Sequence, residues 1–531
     1  MKLATVIVVL LSVACSLAYG QSNHTFRLSN TLGSNMVLQR KPHQAVIWGW
    51  SQPQDTVTVY HANWVGPFTA DENGMWKAEL PSTEEGGPYT ISAQSKHFNS
   101  EIHMDNVVFG DVYLCGGQSN MQFTVDCGFN ATSEVEKADK YEDIRVFTVG
   151  QKTSSATALT ELATIEQNWT VASRASIGGG NWTYFSAVCW YFGRDLYDRL
   201  EKKVPIGLIS NNWGGTCVQA WSSPDALAKC NQTAGSQYET FESVDGKEKA
   251  GAERAGGNSG LYNAMIHPYL PMRMSGAIWY QGECNVGASP QHGGEYYGCQ
   301  FPAMIDDWRT KFALLDMYFG FVQLAPWIAS KSNSTAVAEL RQSQMAALKL
   351  QNVGMAIAGD HGDPTSPFGS VHPRDKQDIG FRLSLTALAL QYKMPLEVYQ
   401  GPICTGANVA NMQPGTGGMM HVQLTLDFQP STVGHTELYV KKNVTCPVGV
   451  PPASCSSFQL QSRSDQSWHD APDVVMLGEN VAVSGSVPFT AQTKLHPVSG
   501  VRYGFSDWPV LMVYNAVGLP AVPFSIELET P

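Results

Sequence analysis

The chain has little charge, and the charge it has is mostly acidic. Charged residues make up 15% of its 531 positions, and 34 Lys and Arg stand against 46 Asp and Glu, which gives a formal net charge of -12. A protein that binds nucleic acid needs a positively charged surface for the phosphates. The composition therefore excludes nucleic acid as the expected partner.

Long hydrophobic runs are missing beyond the first twenty residues. The apolar stretch ATVIVVLLSVA, which begins at Ala4, is shorter than the ~20 residues that a membrane-spanning helix needs. Because Lys2 precedes it and small residues close it, it predicts a signal peptide over residues 1–20. We therefore expect a protein of the secretory pathway, lysosomal or secreted, without a membrane span. Seven sequons predict N-glycosylation at Asn23, Asn130, Asn168, Asn181, Asn231, Asn333 and Asn443.

The 11 cysteines lack the spacing of a metal site, since none forms a CxxC or a zinc-finger Cys/His pattern. In the secretory pathway, the cysteines beyond residue 20 favour several disulfides instead. Cys446 and Cys455 flank a short proline-rich loop and form a plausible local pair. Cys115 and Cys189 lie in apolar runs, where buried free thiols are the alternative. No metal and no cofactor are predicted.

Hydrophobic patterns divide the chain into three regions. Alternating segments separated by Gly, Pro, Asn and Asp turns predict a β-sandwich over residues 21–105. Continuous apolar runs such as PIGLIS and GAIWY then alternate with helical patterns, which predicts a doubly wound α/β domain over residues 106–394. Alternation without helical periods predicts a β-rich domain over residues 395–531. A site in the α/β domain is expected at the carboxyl ends of its strands.

Three strand ends carry residue types suited to acyl transfer. Ser119 follows the apolar strand and Gly-Gly turn of YLCGGQSNM, where its hydroxyl projects from the sheet and its own amide can help to bind an oxyanion. A serine beside glycine can equally serve only to cap a turn. The ends at 211–216 and 279–285 supply glycine, Gln and Asn, which can donate hydrogen bonds to an oxyanion.

A base can come from a separate loop. His372 precedes a proline and therefore lies in extended backbone rather than in a helix. A lone histidine is more often structural or exposed. Upstream, Asp360, His361 and Asp363 lie close together in the chain, and either aspartate offers a carboxylate that could orient it.

These segments closely resemble the sialate O-acetylesterase family of SGNH hydrolases. The resemblance rests on GGQSNM, WGGT, YNAMIHP, WYQGECN and SPFGSVHPRDKQ, which occur in this order and with similar spacing. It implies an α/β, flavodoxin-like SGNH-hydrolase domain with flanking β-sandwich-like domains, and no metal. It also implies hydrolysis of O-acetyl esters of sialic acids, at the 9-O and, as an open alternative, the 4-O position.

Residue roles follow from the same resemblance. Ser119 is the implied nucleophile and His372 the implied base. Oxyanion and substrate-binding groups are implied at Gly214, Gly215, Gln281, Glu283 and Asn285. Cys284 departs from the familiar run QGESN, a change expected to matter only if it is bridged.

The acid of a triad is the main departure. Gly369 stands where SGNH hydrolases have an aspartate, and Ser370 stands where bacterial relatives have an acid. Asp363 is the first candidate, with Asp360 and Glu283 as alternatives and a Ser-His dyad as the remaining one. Two other functions stay open: an acetyl esterase for another glycan such as xylan, and a carbohydrate-binding protein whose hydrolase core has decayed.

Overall fold

The computed structural model describes residues 25–151, 153–180, 182, 184–231, 257–287, 293–329, 335–433 and 438–529. The predicted signal peptide and the sequons at Asn23, Asn181 and Asn333 lie outside these ranges. The four remaining sequon asparagines are exposed, as a glycan would require; they are Asn130, Asn168, Asn231 and Asn443. Glycosylation itself stays a prediction. No helix of the described residues is long and apolar enough to cross a membrane.

The N-terminal region consists of short strands in two sheets. One sheet has the order β1-β3-β6, and β4, β5 and β7 join the other through β8. The predicted alternation is present: Val57 and Val59 of β4 are buried, and residues between them are less so. The strands are β1 Arg27–Leu28, β2 Val37–Gln39, β3 Val46–Trp50, β4 Thr56–His61, β5 Trp64–Thr69, β6 Met75–Glu79, β7 Gly86–Ser95 and β8 Ser100–Gly117.

Strand β8 belongs to two regions at once. Its first half pairs with β7 as far as Phe109, and its second half, from Asp111 to Gly117, pairs with the strand Ile206–Asn212, β11. The predicted limit between residues 105 and 106 therefore falls inside one continuous strand. The domain limits stay predictions, but β8 joins the N-terminal region rigidly to the centre of the molecule.

The central sheet is parallel apart from one edge strand. Its order is β10-β9-β11-β8-β12-β13-β14, and only β10 is antiparallel to its neighbour. With β9 set aside, which lies outside β11 as an added parallel strand, the strands β11-β8-β12-β13-β14 run 2-1-3-4-5 in chain order. This is a doubly wound order with a switch point between β8 and β12. The added strands are β9 Ile144–Val149, β10 Ile165–Val171, β11 Ile206–Asn212, β12 Gly276–Tyr280, β13 Tyr318–Gln323 and β14 Val353–Ile357.

Helices cover both faces of this sheet. In β13, Phe319 and Phe321 contact Phe301 of one helix, whereas the intervening Gly320 lies against Leu383 of another. Because successive residues of a strand point to opposite faces, the two helices lie on opposite sides. This arrangement explains the continuous apolar runs and confirms the predicted α/β region. The α-helices span Ser119–Gln122, Ala131–Lys137, Arg174–Ile177, Ala187–Arg199, Pro224–Lys229, Gly294–Lys311, Ala336–Gln344, Gln377–Leu390 and Pro430–Val433.

The C-terminal region is rich in strands, as predicted. Two four-stranded sheets have the orders β15-β16-β22-β21 and β20-β19-β23-β26. The strands are β15 Cys404–Pro414, β16 Met419–Phe428, β17 Tyr439–Val440, β18 Cys455–Ser456, β19 Phe458–Ser462, β20 Trp468–Asp470, β21 Asp473–Leu477, β22 Asn480–Pro488, β23 Val498–Tyr503, β24 Trp508–Pro509, β25 Val513–Tyr514 and β26 Phe524–Glu527.

A buried arginine joins this region to the α/β region. Arg341, in helix Ala336–Gln344, is fully buried. Its guanidinium donates hydrogen bonds to the carbonyls of Leu324 and Ala325 next to β13, and to those of Ser506 and Asp507 in the C-terminal region. The planar group with its fixed donors thus fills a junction lined by carbonyl oxygens of both regions.

Four disulfides connect the described residues: Cys115–Cys189, Cys217–Cys284, Cys230–Cys299 and Cys446–Cys455. The predicted local pair Cys446–Cys455 is confirmed. The alternative of free thiols at Cys115 and Cys189 is wrong, because strand β8 and helix Ala187–Arg199 pack closely enough for a bond. Disulfides in this number are typical of proteins from an oxidising compartment.

Candidate active site

Ser119 lies where β8 ends, in a segment that we call the nucleophile turn (Gly116–Met121). Gly117 has a φ of +139°, and a Cβ atom there would lie 2.2 Å from the carbonyl oxygen of Tyr280. Only glycine fits this close approach. The chain then turns directly into helix Ser119–Gln122, so that Ser119 stands at the carboxyl end of the sheet beside the switch point, 5% exposed.

His372 reaches the same place from a loop between β14 and helix Gln377–Leu390, which we call the histidine loop (residues 361–376). Its Nε2 lies 2.8 Å from Oγ of Ser119. Its Nδ1 lies 2.8 Å from the carbonyl oxygen of Phe368. A carbonyl only accepts, so Nδ1 carries the proton and Nε2 accepts from the serine hydroxyl. The structure therefore brings the two predicted catalytic residues into the contact that a nucleophile and its base require.

Asp363, the first candidate for the acid, pairs with Arg374. The guanidinium donates to Oδ2 of Asp363 at 2.6 Å and to Oδ1 at 3.0 Å. Burial raises the pKa of this carboxyl, but the hydrogen bonds from Arg374 outweigh it and hold the pKa below its ordinary value. The structure does not bring Asp363 to Nδ1 of His372, whose hydrogen bond goes to the Phe368 carbonyl.

The other two candidates are also engaged elsewhere. Asp360 accepts from both terminal nitrogens of Arg382, at 2.7 and 2.9 Å. Glu283 accepts from the side chain of Asn120 at 2.5 Å. Gly369, at the position of the expected aspartate, has a φ of +85° and takes part in a turn in which the N–H of His372 donates to its carbonyl. A side chain at this φ would be strained, which accounts physically for glycine there.

Three ion pairs close the base of the histidine loop. His361 contacts Asp375 at 3.1 Å and Asp378 at 2.9 Å, and one step inward Asp363 pairs with Arg374. Burial lowers the pKa of His361, but its donation to Asp375 and its pairing with Asp378 outweigh this effect and raise the pKa to about 9. The carboxylates of this segment thus hold the loop that presents the base.

The two predicted oxyanion glycines follow β11. A Cβ atom on Gly214 would lie 3.3 Å from Cβ of Ser119, so this glycine allows the two turns to touch. The N–H of Gly214 donates to Oε1 of Gln122 at 2.7 Å. Gly215 has a φ of +72°. The structure therefore places Gly214 against Ser119, with Gly215 next to it in the chain, and uses the N–H of Gly214 to hold Gln122.

The predicted amide donors after β12 form a layer behind the site. The amide nitrogen of Gln281 donates to Oδ1 of Asn285 at 2.8 Å, and Asn285 donates to Gln219 at 2.8 Å. Gln118, directly before the nucleophile, accepts from the N–H of Cys284 at 3.1 Å. These side chains are buried and bind one another across the ends of three strands. An oxyanion role for Gln281 and Asn285 stays a prediction.

Cys284 is bridged, which is the condition under which its presence was expected to matter. Its partner Cys217 lies two residues after Gly215, so the disulfide joins the end of β11 to the end of β12. Both flank the nucleophile turn. The bond therefore fixes the separation of the two segments that carry the predicted oxyanion and substrate-binding groups.

Sequence reasoning missed an aromatic wall beside His372. The ring of Trp182 stands edge-on to His372 with the centroids 4.9 Å apart, and Phe123 and Phe368 pack around it. Trp182 lies in the glycine-rich segment GGGNWTY, where no helical or strand period marks it. Sequence reasoning also missed Asn120 and Lys376, although both lie inside the blocks GGQSNM and SPFGSVHPRDKQ.

Comparisons with known proteins agree on one family. A family model described as carbohydrate esterase, sialic acid-specific acetylesterase, matches residues 109–366. A sialate O-acetylesterase from Mus musculus is 32% identical over 554 residues and covers 95% of each chain. One from Homo sapiens is 37% identical over 399 residues, which are 71% of this chain and 73% of the relative. The chain belongs to the sialate O-acetylesterase family.

A solved structure extends the agreement from sequence to fold. A carbohydrate acetylesterase from Xanthomonas citri has a TM-score of 0.74, is 29% identical, and covers 95% of this chain and 100% of that one. The part that matches the sialate O-acetylesterase family model contains Ser119 and the ends of β11 and β12. In the ranges that the structure describes, no three His, Cys, Asp or Glu side chains are grouped so as to hold a metal ion.

Proposed function

We propose that this protein is a serine esterase that removes O-acetyl groups from sialic acids, with Ser119 as nucleophile and His372 as base. The observation that carries the proposal is the 2.8 Å contact between Oγ of Ser119 and Nε2 of His372, in a chain of this family. The 2-1-3-4-5 strand order supports an SGNH-type catalytic domain. The substrate is an O-acetylated sialic acid or sialoglycan.

The reaction proceeds by acyl transfer. Nε2 of His372 takes the proton of Ser119 while Oγ attacks the acetyl carbonyl, and the imidazolium then protonates the sugar oxygen as its bond to the acetyl carbon breaks, so that the sugar leaves as an alcohol. Water, activated by the same nitrogen, hydrolyses the acetyl-enzyme and releases acetate. The carbonyl of Phe368 keeps the proton on Nδ1. We therefore propose that the main chain at Phe368, rather than Asp363, holds the imidazole at Nδ1.

Main-chain groups are the best candidates for the oxyanion hole. Ser119 is the first residue of its helix, so its N–H has no acceptor within that helix. Because Gln122 accepts from the N–H of Gly214, we assign the second donor to Gly215. The loss of one such donor costs roughly 10²–10³ in kcat.

The same geometry supports hydrolysis of other acetylated glycans, since the fold does not fix the sugar. The structure of the Xanthomonas citri carbohydrate acetylesterase favours this second candidate. Release of acetate from 9-O-acetyl sialic acid, compared with an acetylated xylo-oligosaccharide, separates the two. Faster turnover of the xylo-oligosaccharide would overturn the sialate assignment.

The nucleophile is tested with Ser119→Ala. We expect normal secretion and melting, at least ~10³-fold lower kcat, and no labelling by a fluorophosphonate probe. Ser370→Ala is the matched control, because it makes the same change on the histidine loop and should keep activity. Turnover by Ser119→Ala near that of the wild type would contradict the proposal and would favour a carbohydrate-binding protein with a decayed core.

We also propose that the protein acts in the lysosome or outside the cell. The four disulfides support an oxidising compartment. The predicted signal peptide over residues 1–20 would supply the route.

A further inference from the structure

A lysine is buried directly behind the nucleophile. Lys376, the last residue of the histidine loop, is fully buried, and so is Asn120, which follows Ser119 in the chain. The Nζ of Lys376 donates to Oδ1 of Asn120 at 2.6 Å. The ammonium group also lies 4.9 Å from the ring centre of Phe123 and 5.3 Å from that of Tyr280.

The hydrogen bonds of Asn120 connect three segments of the site. Its amide nitrogen donates to Oε1 of Glu283 at 2.5 Å and to the carbonyl of Val371 at 2.8 Å. Val371 directly precedes His372, and Glu283 follows β12. Because the ammonium group of Lys376 can only donate, the oxygen of the Asn120 amide must face it, and the amide nitrogen then faces Glu283 and Val371.

This arrangement is costly for the fold, because an ammonium group loses its water on burial. Among the described residues, no carboxylate oxygen lies within ion-pair distance of Nζ. Burial lowers the pKa of Lys376 to about 7, and burial raises the pKa of Glu283. An apolar side chain of the same volume could be buried at a lower cost in free energy. We therefore expect that the hydrogen bond of this lysine is what the position requires.

We infer that Lys376 is a positioning residue, which acts through Asn120 to hold the nucleophile turn against the histidine loop. The hydrogen bond between Lys376 and Asn120 joins the histidine loop to the nucleophile turn. The hydrogen bond between Asn120 and Val371 joins the same two segments a second time, next to His372. Together they set the separation of Ser119 and His372. The inference rests on the proposed function, since it concerns the same pair.

The test compares Lys376→Met with Lys393→Met. Methionine keeps the length of the side chain and removes the donor. Lys393 is a matched control, because its Nζ also lies near an asparagine oxygen, that of Asn352 at 3.3 Å, but at an exposed place outside the site. The measurements are kcat and KM for an acetylated sialic acid, the rate of labelling of Ser119 by a fluorophosphonate, and the melting temperature.

A misplacement of about 1 Å costs roughly 10²-fold in rate. We therefore expect Lys376→Met to lose kcat and labelling rate by roughly this factor with KM within about threefold, and Lys393→Met to match the wild type. Asn120→Ala should show the same loss, and the double variant should lose little more than either single one, because both break one chain of bonds.

The outcomes separate this inference from the proposed function. Wild-type protein that is not labelled at Ser119 contradicts the nucleophile itself. A labelled wild type with equally fast labelling of Lys376→Met contradicts only the positioning role. If both Lys376→Met and Asn120→Ala fail to fold, the chain of bonds serves stability rather than catalysis, and the inference is likewise overturned.

Discussion

Replacement of Asp363 by asparagine should leave most of the activity in place. A triad acid that fixes the tautomer of histidine and stabilises imidazolium is worth up to ~10⁴ in kcat. In this structure Nδ1 of His372 meets the carbonyl of Phe368, and Asp363 instead closes the histidine loop through Arg374. We expect a loss in kcat of less than about tenfold, against ~10⁴ for a triad acid.

The stability should change more visibly than the rate. A hydrogen bond to a charged group contributes about 1.5–3 kcal/mol, and asparagine retains one oxygen that can accept from Arg374. We therefore expect Asp363→Asn to lose about 1–2 kcal/mol of the free energy of unfolding, and Tm to fall by a few degrees. The measurements are kcat for acetate release and Tm on the same preparations.

Arg374→Met provides the decisive control. It removes the other half of the same ion pair, so it should reproduce the effects of Asp363→Asn if the pair only holds the loop. A triad acid would give a different pattern: kcat would fall by ~10³ or more in Asp363→Asn with normal melting, and Arg374→Met would stay active. That result would make Asp363 the acid that orients His372 and would refute this reasoning.

Two further predictions concern stability. Because the pKa of His361 is raised from 6.5 to about 9, its charge stabilises the fold fully below pH 6.5. This contribution, about 3 kcal/mol, is lost as the pH rises through 9. The Tm of the wild type should therefore fall more steeply between pH 7 and pH 10 than that of His361→Gln, and parallel curves would contradict the buried charge. The paired change of Cys217 and Cys284 to serine removes a disulfide between residues 67 apart, and should lower the free energy of unfolding by about 4 kcal/mol. The measurement is a denaturant titration. The same change at Cys446 and Cys455, which are nine residues apart, is the control and should give a smaller loss.

The sequence predicts the strands of the central sheet well, and with them the place of Ser119. Runs such as PIGLIS and GAIWY are apolar at every position because helices cover both faces, and glycines mark the turns that follow. The position of Ser119 depends on this local pattern alone. The approach of His372 rests on a turn before a proline, which is also a local signal.

The rest of the site depends on contacts that local patterns do not carry. The absence of an acid at Gly369 is visible in the sequence, but the carbonyl of Phe368 takes part through its backbone, and no residue type identifies such a partner. The fully buried Lys376 has the sequence surroundings of an exposed one, HPRDKQ. Only the packing of the histidine loop against the nucleophile turn distinguishes it.

The position of Arg341 limits how this molecule can be divided. Its guanidinium donates to Ser506 and Asp507 as well as to the strand end at Leu324. A chain shortened to residue 394 would keep this arginine and the carbonyls of Leu324 and Ala325, but lose those of Ser506 and Asp507. A buried cation that loses part of its acceptors is destabilising. We therefore expect the hydrolase region to be unstable when it is expressed, recombined or exchanged without the C-terminal strands.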